Sequence, residues 1–302
     1  MKNTLKVFWC DIENFGDAFN RDLFAHYGFD PVWSEPDEAE VLGVGSILSH
    51  VNQAKFDGII LGSGYRESRH RFHSINANFI AVRGRLTRAR TLASRRTLMG
   101  DFGLLLPRVF PIALNPEYAL GVIPHCMDLS NSWLGQFANS RNVLVINPNQ
   151  PPESVVRQLI QCANIASSSL HGLISADAFG IPNCWLRLSD NEVGHGFKFF
   201  DYYSSFGETR LPLIPWDGLG VSRIVDSCTQ PSPTVRDRAT ELHRVMLDFD
   251  TKVNNHRLLK NNKASRWAKT VSRRCRRKYR HLFAKEESQG CDFLKPNEFA
   301  NW

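Results

Sequence analysis

Short apolar runs alternate along this chain with segments of helical periodicity, and this rhythm constrains the fold more than any single motif. Such alternation is typical of a parallel sheet whose strands are covered by helices on both faces. We therefore predict an α/β fold. The predicted strands span residues 5–10, 41–44, 57–61, 79–82, 97–99, 120–123, 143–146, 163–166 and 183–186. The predicted helices span residues 17–27, 87–92, 153–161 and 173–179.

The same rhythm occurs on either side of residues 109–118, a segment with two prolines that we interpret as a hinge. A length of 302 residues favours two domains. We predict a Rossmann-like domain over residues 1–115, a second one over 116–230, and a basic, helical extension over 231–302. Two such domains facing each other across a cleft form the GT-B-like arrangement of two-domain glycosyltransferases, and we expect this arrangement here.

The composition is that of an ordinary globular protein, with 42% hydrophobic and 22% charged residues. No apolar run approaches the ~18 residues that cross a bilayer, and the run at residues 5–10 is too short for the core of a signal peptide. We therefore expect a cytoplasmic protein. Seven cysteines occur without a Cys-x-x-Cys pair, which argues against a disulfide framework or a zinc site. We predict no bound metal and no cofactor.

The net charge of +7 is concentrated in the C-terminal part of the chain. Thirteen Lys and Arg residues lie between Lys252 and Lys285, and no acidic residue occurs from residue 251 to 284. A helix here would place recurring apolar residues on one stripe, and it could bind an anionic membrane surface, pack on the protein, remain disordered or bind nucleic acid. We favour the membrane surface and consider nucleic acid the weakest alternative. The stripe consists of Trp267, Val271, Cys275, Tyr279 and Phe283.

Glycine or polar residues follow nearly every predicted strand, and this coincidence is the strongest indication of a functional site. Ligands of open α/β sheets bind beyond the carboxyl ends of the strands, so we expect the chemistry in these loops. The loops contain residues 14–17, 43–46, 62–64, 83–84, 100–101, 125 and 167–171.

The segment 166–172, with the sequence Ala-Ser-Ser-Ser-Leu-His-Gly, combines hydroxyl groups and an imidazole where a predicted strand passes into a helix. The first N–H groups of a helix are unpaired and the helix dipole is positive there, so this position attracts anions. A histidine adds a side chain whose unperturbed pKa lies near neutrality. We predict that Ser168 and Ser169 bind an anionic substrate and that His171 transfers a proton.

Other strand-end positions each allow a functional and a structural interpretation. Arg83 could clamp a carboxylate or phosphate, or be a surface arginine. Gly62 and Ser63, in a Gly-Ser-Gly turn, could surround an anion with N–H groups, or form only a tight turn. His125 could be catalytic or structural, and Asp17 could act in the cleft or cap the first helix. The chain contains no P-loop pattern.

Several of these short segments have an order and spacing that are more specific together than any one of them alone. They are Asn14, Phe15, Gly16 and Asp17 with Asn20, then residues 62–64, 82–87, 100–101, 123–125, 168–172, 176–182 and 200–204. With this set the chain resembles bacterial polysaccharide pyruvyl transferases over about residues 5–210. Two positions depart from the family pattern. Phe102 and Gly103 replace a proline-containing run, and Ser169 replaces an arginine present in some members.

The resemblance implies two Rossmann-like domains and the transfer of pyruvate from phosphoenolpyruvate to a sugar, which forms a ketal. It implies a polysaccharide or a lipid-linked oligosaccharide as acceptor, which would bring the enzyme to the inner membrane face. In this interpretation Arg83 and Ser169 bind the phosphate or carboxylate of the donor. His171 is the general acid or base, and His125 is the second candidate for that role.

The resemblance also implies roles for the loop after the first strand. Asp17 would take a hydroxyl proton or hold the acceptor, and Asn14 and Gly16 would contribute to substrate binding together with the Gly62 and Ser63 turn.

Two other functions fit the same sequence. One is a glycosyltransferase of similar architecture that uses a nucleotide-sugar and would therefore bind a nucleoside diphosphate. The other is a non-enzymatic basic adaptor, whose tail would bind polyanions in a salt-sensitive manner.

Overall fold

The computed structural model describes residues 3–51, 56–71, 74, 76–191, 194–216 and 218–261. The apolar stripe of the basic tail, Trp267 to Phe283, lies outside the described residues. Residues 1–252 form one compact unit, which contains both sheets and the cavity described below. Within the described ranges, no helix has the length and apolar character needed to cross a membrane.

The first sheet contains six strands in the described residues, all parallel, in the order β2-β1-β3-β4-β5-β6. After β1 the chain passes to β2 at the sheet edge and then returns to β3 on the other side of β1. The strand order therefore reverses at β1, and open α/β sheets bind ligands at such a reversal. The strands are β1 Asn3–Phe8, β2 Phe29–Trp33, β3 Val41–Leu42, β4 Ile59–Leu61, β5 Asn78–Val82 and β6 Leu98–Met99.

The second sheet contains four parallel strands among the described residues, in the order β10-β9-β7-β8. Its first strand, β7, lies between its second, β8, and its third, β9, so the order reverses at β7 as it does at β1. Both sheets thus arrange their first four strands in the same way. The strands are β7 Leu120–Ile123, β8 Val143–Val145, β9 Ile165–Ser167 and β10 Asn183–Trp185.

Helices follow most of the strands, as expected for parallel connections. α1 begins after Asn14, whose Oδ1 accepts a hydrogen bond from the Gly16 N–H at 2.9 Å. α5 is apolar on nearly all sides because it packs on β9 and β10 and on the 3₁₀ turn Phe102–Leu105. The helices are α1 Phe15–His26, α2 Arg85–Arg88, α3 Leu106–Val109, α4 Pro152–Leu159, α5 Leu170–Phe179, α6 Phe197–Ser204, α7 Val221–Asp226, α8 Val235–Leu247 and α9 Phe249–Asn261.

The predicted α/β class with parallel sheets is confirmed. Every predicted strand and helix overlaps an observed one, with ends displaced by a few residues. The predicted helix 87–92 instead spans Arg85–Arg88, and the strand Phe29–Trp33 was missed. Pro31 argues against a central strand, but β2 is an edge strand, where a missing N–H is tolerated. The boundary at residue 115 and the GT-B-like arrangement stay predictions.

Candidate active site

A cavity of about 300 Å³ lies at the carboxyl ends of the strands at which both sheets reverse their order. Loops after β1 and β3 line it from the first sheet, and loops after β7 and β9 line it from the second. A concave site at the reversal point of an α/β sheet is the expected place for a ligand. The polar lining side chains include Asn14, Asp17 and Ser46 from the first sheet and His125, Ser169 and His171 from the second.

The His171 ring lies in the first turn of α5, between two glycines that follow strands of the first sheet. A Cβ atom at Gly16 would overlap Nδ1 of the ring, and a Cβ atom at Gly103 would lie 3.8 Å from its Cδ2. Phe15 meets the ring edge-on, with the centroids 6.3 Å apart. The absence of a side chain at residue 16 therefore allows His171, from the second sheet, to reach the first.

Both cavity histidines are neutral at physiological pH. Burial, followed by the charges of Arg83 and Lys198, lowers the pKa of His171 to about 3. Burial, followed by Lys198, lowers the pKa of His125 to about 4, although Asp128 opposes this shift. Nδ1 of His125 accepts a hydrogen bond from the Met127 N–H at 3.3 Å, so the neutral ring carries its proton on Nε2.

Asp17 is the cavity group that titrates near neutrality. Burial raises its pKa to about 7, against the lowering effect of Lys198 and Arg66, and Asp101 adds to the rise. From the sequence alone, a histidine is expected to be the group that titrates near neutrality, because an unperturbed imidazole has a pKa near 6.5. In the structure the Asp17 carboxyl group has the pKa nearest neutrality, because burial favours the uncharged form of acids and bases alike.

Asn20 joins the two loops of the first sheet that line the cavity. Its Oδ1 accepts from the Val44 N–H at 2.7 Å and its Nδ2 donates to the Val44 carbonyl at 3.0 Å. A Cβ atom at Gly43 would overlap the Asn20 amide, so a glycine is needed there. These contacts fix the loop after β3 to α1, one turn from Asp17.

The two predicted anion-binding serines lie in different environments. Ser168 is buried, and its Oγ donates to Asp128 at 2.7 Å and accepts from the His125 N–H at 2.8 Å. It therefore holds the His125 loop. Ser169 lines the cavity and is the N-cap residue of α5, where its side chain makes no capping hydrogen bond. Its hydroxyl therefore lies in the cavity wall at the N-terminus of α5.

The structure does not bring Arg83 to the cavity. The side chain is fully buried, with 0% of its surface exposed. Its Nε donates to Asp201 at 3.0 Å, one Nη donates to the Ser46 hydroxyl at 2.6 Å, and the other Nη donates to the Tyr65 carbonyl. Asp201 also accepts from the N–H and the hydroxyl of Thr87. Arg83 thus ties α6, which follows the second sheet in the chain, to the first sheet.

Gly62 and Ser63 contact segments next to the cavity. Gly62 has a positive φ of 80° and lies against the Phe102 ring. The buried Ser63 hydroxyl donates to the carbonyl of Gly43. In these contacts the turn packs against other parts of the protein. Asn14, in contrast, lines the cavity. Gly16 leaves the space that the His171 ring occupies.

Two cavity cations were not singled out from the sequence. Lys198, in α6, is only 8% exposed, and Arg66 follows β4. Both act electrostatically on Asp17 and His125. Neither residue belongs to a recognisable motif, and α6 was not predicted. The one available signal was position, since Lys198 comes just before the segment 200–204 that contributed to the family resemblance.

Among the described residues, no group of three or more His, Cys, Asp or Glu side chains is arranged to hold a metal ion. Whether the chain binds a metal or a cofactor therefore stays at the level of the sequence prediction.

Comparisons with known proteins give a family match and several similar proteins. A family model described as polysaccharide pyruvyl transferase matches residues 20–190, more than half of the chain. The succinoglycan biosynthesis protein ExoV of Rhizobium meliloti is 28% identical over 211 residues, which cover 66% of this chain and 63% of that protein. An uncharacterised protein of Acanthamoeba polyphaga mimivirus is 31% identical over 182 residues, which cover 55% and 60%.

The matches with these relatives span about three fifths of the relatives' own length. A solved structure of a functionally uncharacterised protein from Klebsiella pneumoniae covers 71% of this chain and 93% of its own, with 15% identity and a TM-score of 0.39. The family match includes His125, Ser169 and His171, while Asp17 and Lys198 lie outside its bounds.

Proposed function

This chain belongs to the polysaccharide pyruvyl transferase family, and we propose that it transfers pyruvate from phosphoenolpyruvate to a sugar of an exopolysaccharide or its lipid-linked repeat unit. The product is a ketal. The observation that carries the proposal is one cavity that combines two cations, a carboxyl group titrating near neutrality and two neutral imidazoles. ExoV, a relative named for succinoglycan biosynthesis, supports a polysaccharide acceptor.

Lys198 and Arg66 bind the donor. Phosphoenolpyruvate carries a carboxylate and a phosphate, and both cations line the cavity. The Ser169 hydroxyl and the N-terminus of α5 add donors suited to an anion. We assign this role to Lys198 and Arg66 rather than to Arg83, because these two side chains line the cavity, whereas the fully buried Arg83 does not. Lys198 would then supply the charge that Ser169 lacks relative to family members with arginine.

Ketal formation determines which proton transfers the site must perform. Two sugar hydroxyls attack the central carbon of the enol phosphate, the methylene carbon takes a proton, and the bond to phosphate breaks. Of the two hydroxyl protons, one balances the proton on the new methyl group and the other leaves with the phosphate. The site therefore needs a proton donor for carbon and a proton acceptor for each hydroxyl.

The protonation states divide these tasks between the two sheets. Asp17 carries a proton in about half of the molecules at pH 7 and donates it to the methylene carbon, while the uncharged His171 and His125 accept the hydroxyl protons. This assignment makes the carboxyl group the acid and the imidazoles the bases. It replaces the expectation that His171 could serve equally as either.

The acceptor enters across an apolar edge of the cavity. Ile12 and Met127 line the cavity, one on each sheet's side, and are 54% and 60% exposed. Apolar side chains at this position suit the C–H faces of a sugar ring, because both surfaces are removed from water on contact. The basic tail would hold the enzyme at an anionic membrane surface, where a lipid-linked acceptor resides; its support is the charge pattern of the sequence.

Titration calorimetry with phosphoenolpyruvate tests the donor assignment. We expect Lys198→Gln and Arg66→Gln each to weaken donor binding by about 10- to 100-fold, because each removes a charged hydrogen bond. The matched control is Lys6→Gln, an exposed lysine paired with Glu38, which should bind the donor like the wild type. Unchanged affinity in both cavity variants would refute the assignment. Binding of a nucleoside diphosphate in place of phosphoenolpyruvate would indicate a glycosyltransferase instead.

A further inference from the structure

Ser46 links the cavity to the buried guanidinium of Arg83. The serine lines the cavity, in the loop that follows β3. Its Oγ lies 2.6 Å from one Nη of Arg83, whose side chain is fully buried. A guanidinium has N–H donors and no acceptor, so the serine oxygen accepts in this hydrogen bond. The hydroxyl proton of Ser46 must therefore point away from Arg83.

The hydroxyl proton of Ser46 is available to a ligand. Within the described part of the chain, the bond from Arg83 is the one hydrogen bond of this hydroxyl group, and its own proton has no acceptor. A hydroxyl group that accepts from a cation is polarised and becomes a better donor. Since Ser46 belongs to the cavity wall, a ligand in the cavity can accept this proton. An anionic oxygen suits it best, because the hydrogen bond is then charge-assisted.

The contacts around Arg83 hold this hydroxyl group in place. Nε of the guanidinium donates to Asp201 at 3.0 Å. A Cβ atom at Gly64 would overlap Cζ of Arg83, so the guanidinium lies directly against this glycine. The Gly64 N–H in turn donates at 2.9 Å to the carbonyl of Gly45, the residue before Ser46. A donor group that is held in this way loses little conformational freedom when a ligand binds.

The position of Ser46 also suits the acid of the proposed reaction. A Cβ atom at the preceding residue, Gly45, would lie 3.1 Å from Oδ1 of Asp17. The loop after β3 therefore passes the Asp17 carboxyl group immediately before it presents the Ser46 hydroxyl group. An anion bound by Ser46 would lie on the side of the cavity from which the proton is donated.

We propose that the Ser46 hydroxyl group binds a carboxylate or phosphate oxygen of the donor, and that Arg83 is a positioning residue that acts through Ser46. The buried arginine thereby contributes to donor binding without reaching the cavity, because it orients and polarises the one hydroxyl group that does. This inference rests on the proposed function, since it adds a contact with the donor to those of Lys198 and Arg66.

Titration calorimetry with phosphoenolpyruvate on the folded variants tests the contact. Ser46→Ala removes the donated hydrogen bond, so we expect the affinity to fall about 10- to 100-fold. Ser46→Thr retains a hydroxyl group and should bind within about threefold of the wild type. The matched control is Ser74→Ala, because the buried Ser74 hydroxyl donates to the Phe56 carbonyl at 2.7 Å and does not line the cavity. This control should keep the wild-type affinity, and wild-type affinity in Ser46→Ala would overturn the inference.

A double-mutant cycle tests whether Arg83 acts through Ser46. We expect Arg83→Met to weaken donor binding about tenfold in the wild-type background and less than about twofold in the Ser46→Ala background, where no hydroxyl group remains to be oriented. Equal losses of affinity in the two backgrounds, or no loss in either, would overturn the positioning role. The comparison of Ser46→Ala with Ser46→Thr tests the contact without any change to Arg83.

Smaller anions identify the oxygen that Ser46 contacts. Inorganic phosphate loses affinity in Ser46→Ala if the contact is with the phosphate group, and pyruvate does so if the contact is with the carboxylate. If the wild type binds a nucleoside diphosphate and no phosphoenolpyruvate, the proposed function fails. The same two serine variants, titrated with the nucleoside diphosphate, then decide whether Ser46 binds an anion.

Discussion

The two sheets reverse their strand order in the same way but bring opposite chemistry to the shared cavity. The first sheet contributes Asp17, whose pKa is raised to about 7, and the second contributes His171 and His125, whose pKa values are lowered to about 3 and 4. Burial is the largest cause in all three cases. The same low-polarity environment therefore makes an acid hold its proton and makes bases lose theirs. Assigning roles from unperturbed pKa values would exchange the acid and the bases.

The shared cavity depends on contacts between the first sheet and segments that belong to or follow the second sheet. The His171 ring can lie against the loop after β1 only because Gly16 has no side chain. The buried ion pair of Arg83 and Asp201 joins α6 to the first sheet. Substitutions at Gly16, Arg83 and Asp17 should have effects of decreasing size.

Replacing the glycine that receives the imidazole should have the largest effect. The new Cβ atom of Gly16→Ala would overlap Nδ1 of His171, so the ring must leave its present position. We expect kcat to fall about 1,000-fold or more, since misplacement and loss of the base combine. The matched control is Gly135→Ala, where a Cβ atom meets nothing within 4 Å. Equal steady-state rates for the two variants would show that the two sheets do not cooperate through this contact.

Breaking the buried ion pair should have the next largest effect, on stability. Arg83→Met leaves the Asp201 carboxylate without its guanidinium partner, which typically costs about 3–5 kcal/mol of unfolding free energy. Arg157→Met is the control, because Arg157 pairs with Glu153 on an exposed helix face and such pairs contribute about 1 kcal/mol or less. Urea unfolding measures both. If Arg83→Met lowers the unfolding free energy by less than about 1 kcal/mol, the ion pair of Arg83 and Asp201 does not hold α6 to the first sheet.

Removing the carboxyl group of Asp17 should have the smallest of the three effects and the most specific one. If protonated Asp17 is the acid, kcat/KM of the wild type falls as pH rises through about 7, because the group loses its proton there. Asp17→Asn should lower kcat/KM about 100-fold and abolish this descending limb. If kcat/KM of the wild type instead increases from pH 6 to 8, the assignment of Asp17 as the acid is contradicted.

The alternation of apolar and helical segments was sufficient to predict the class of fold and the loops around His125, Ser169 and His171. These features are local, because a strand end and the next helix start lie within a few residues. The environment of Arg83 is not local, since its partner Asp201 lies 118 residues away in a helix without a clear sequence signal. Lys198 escaped prediction for the same reason. The raised pKa of Asp17 depends on packing between distant segments, which no single loop encodes.

The fit of the imidazole against Gly16 also has an evolutionary consequence. Any side chain at residue 16 occupies the volume that the ring at residue 171 needs, so residue 16 cannot be enlarged while His171 stays as it is. A descendant of this chain that enlarges residue 16 must first give up the histidine, and with it the base that we propose, before a compensating change can follow. The two positions are therefore expected to be inherited as a unit, although they lie 155 positions apart in the chain.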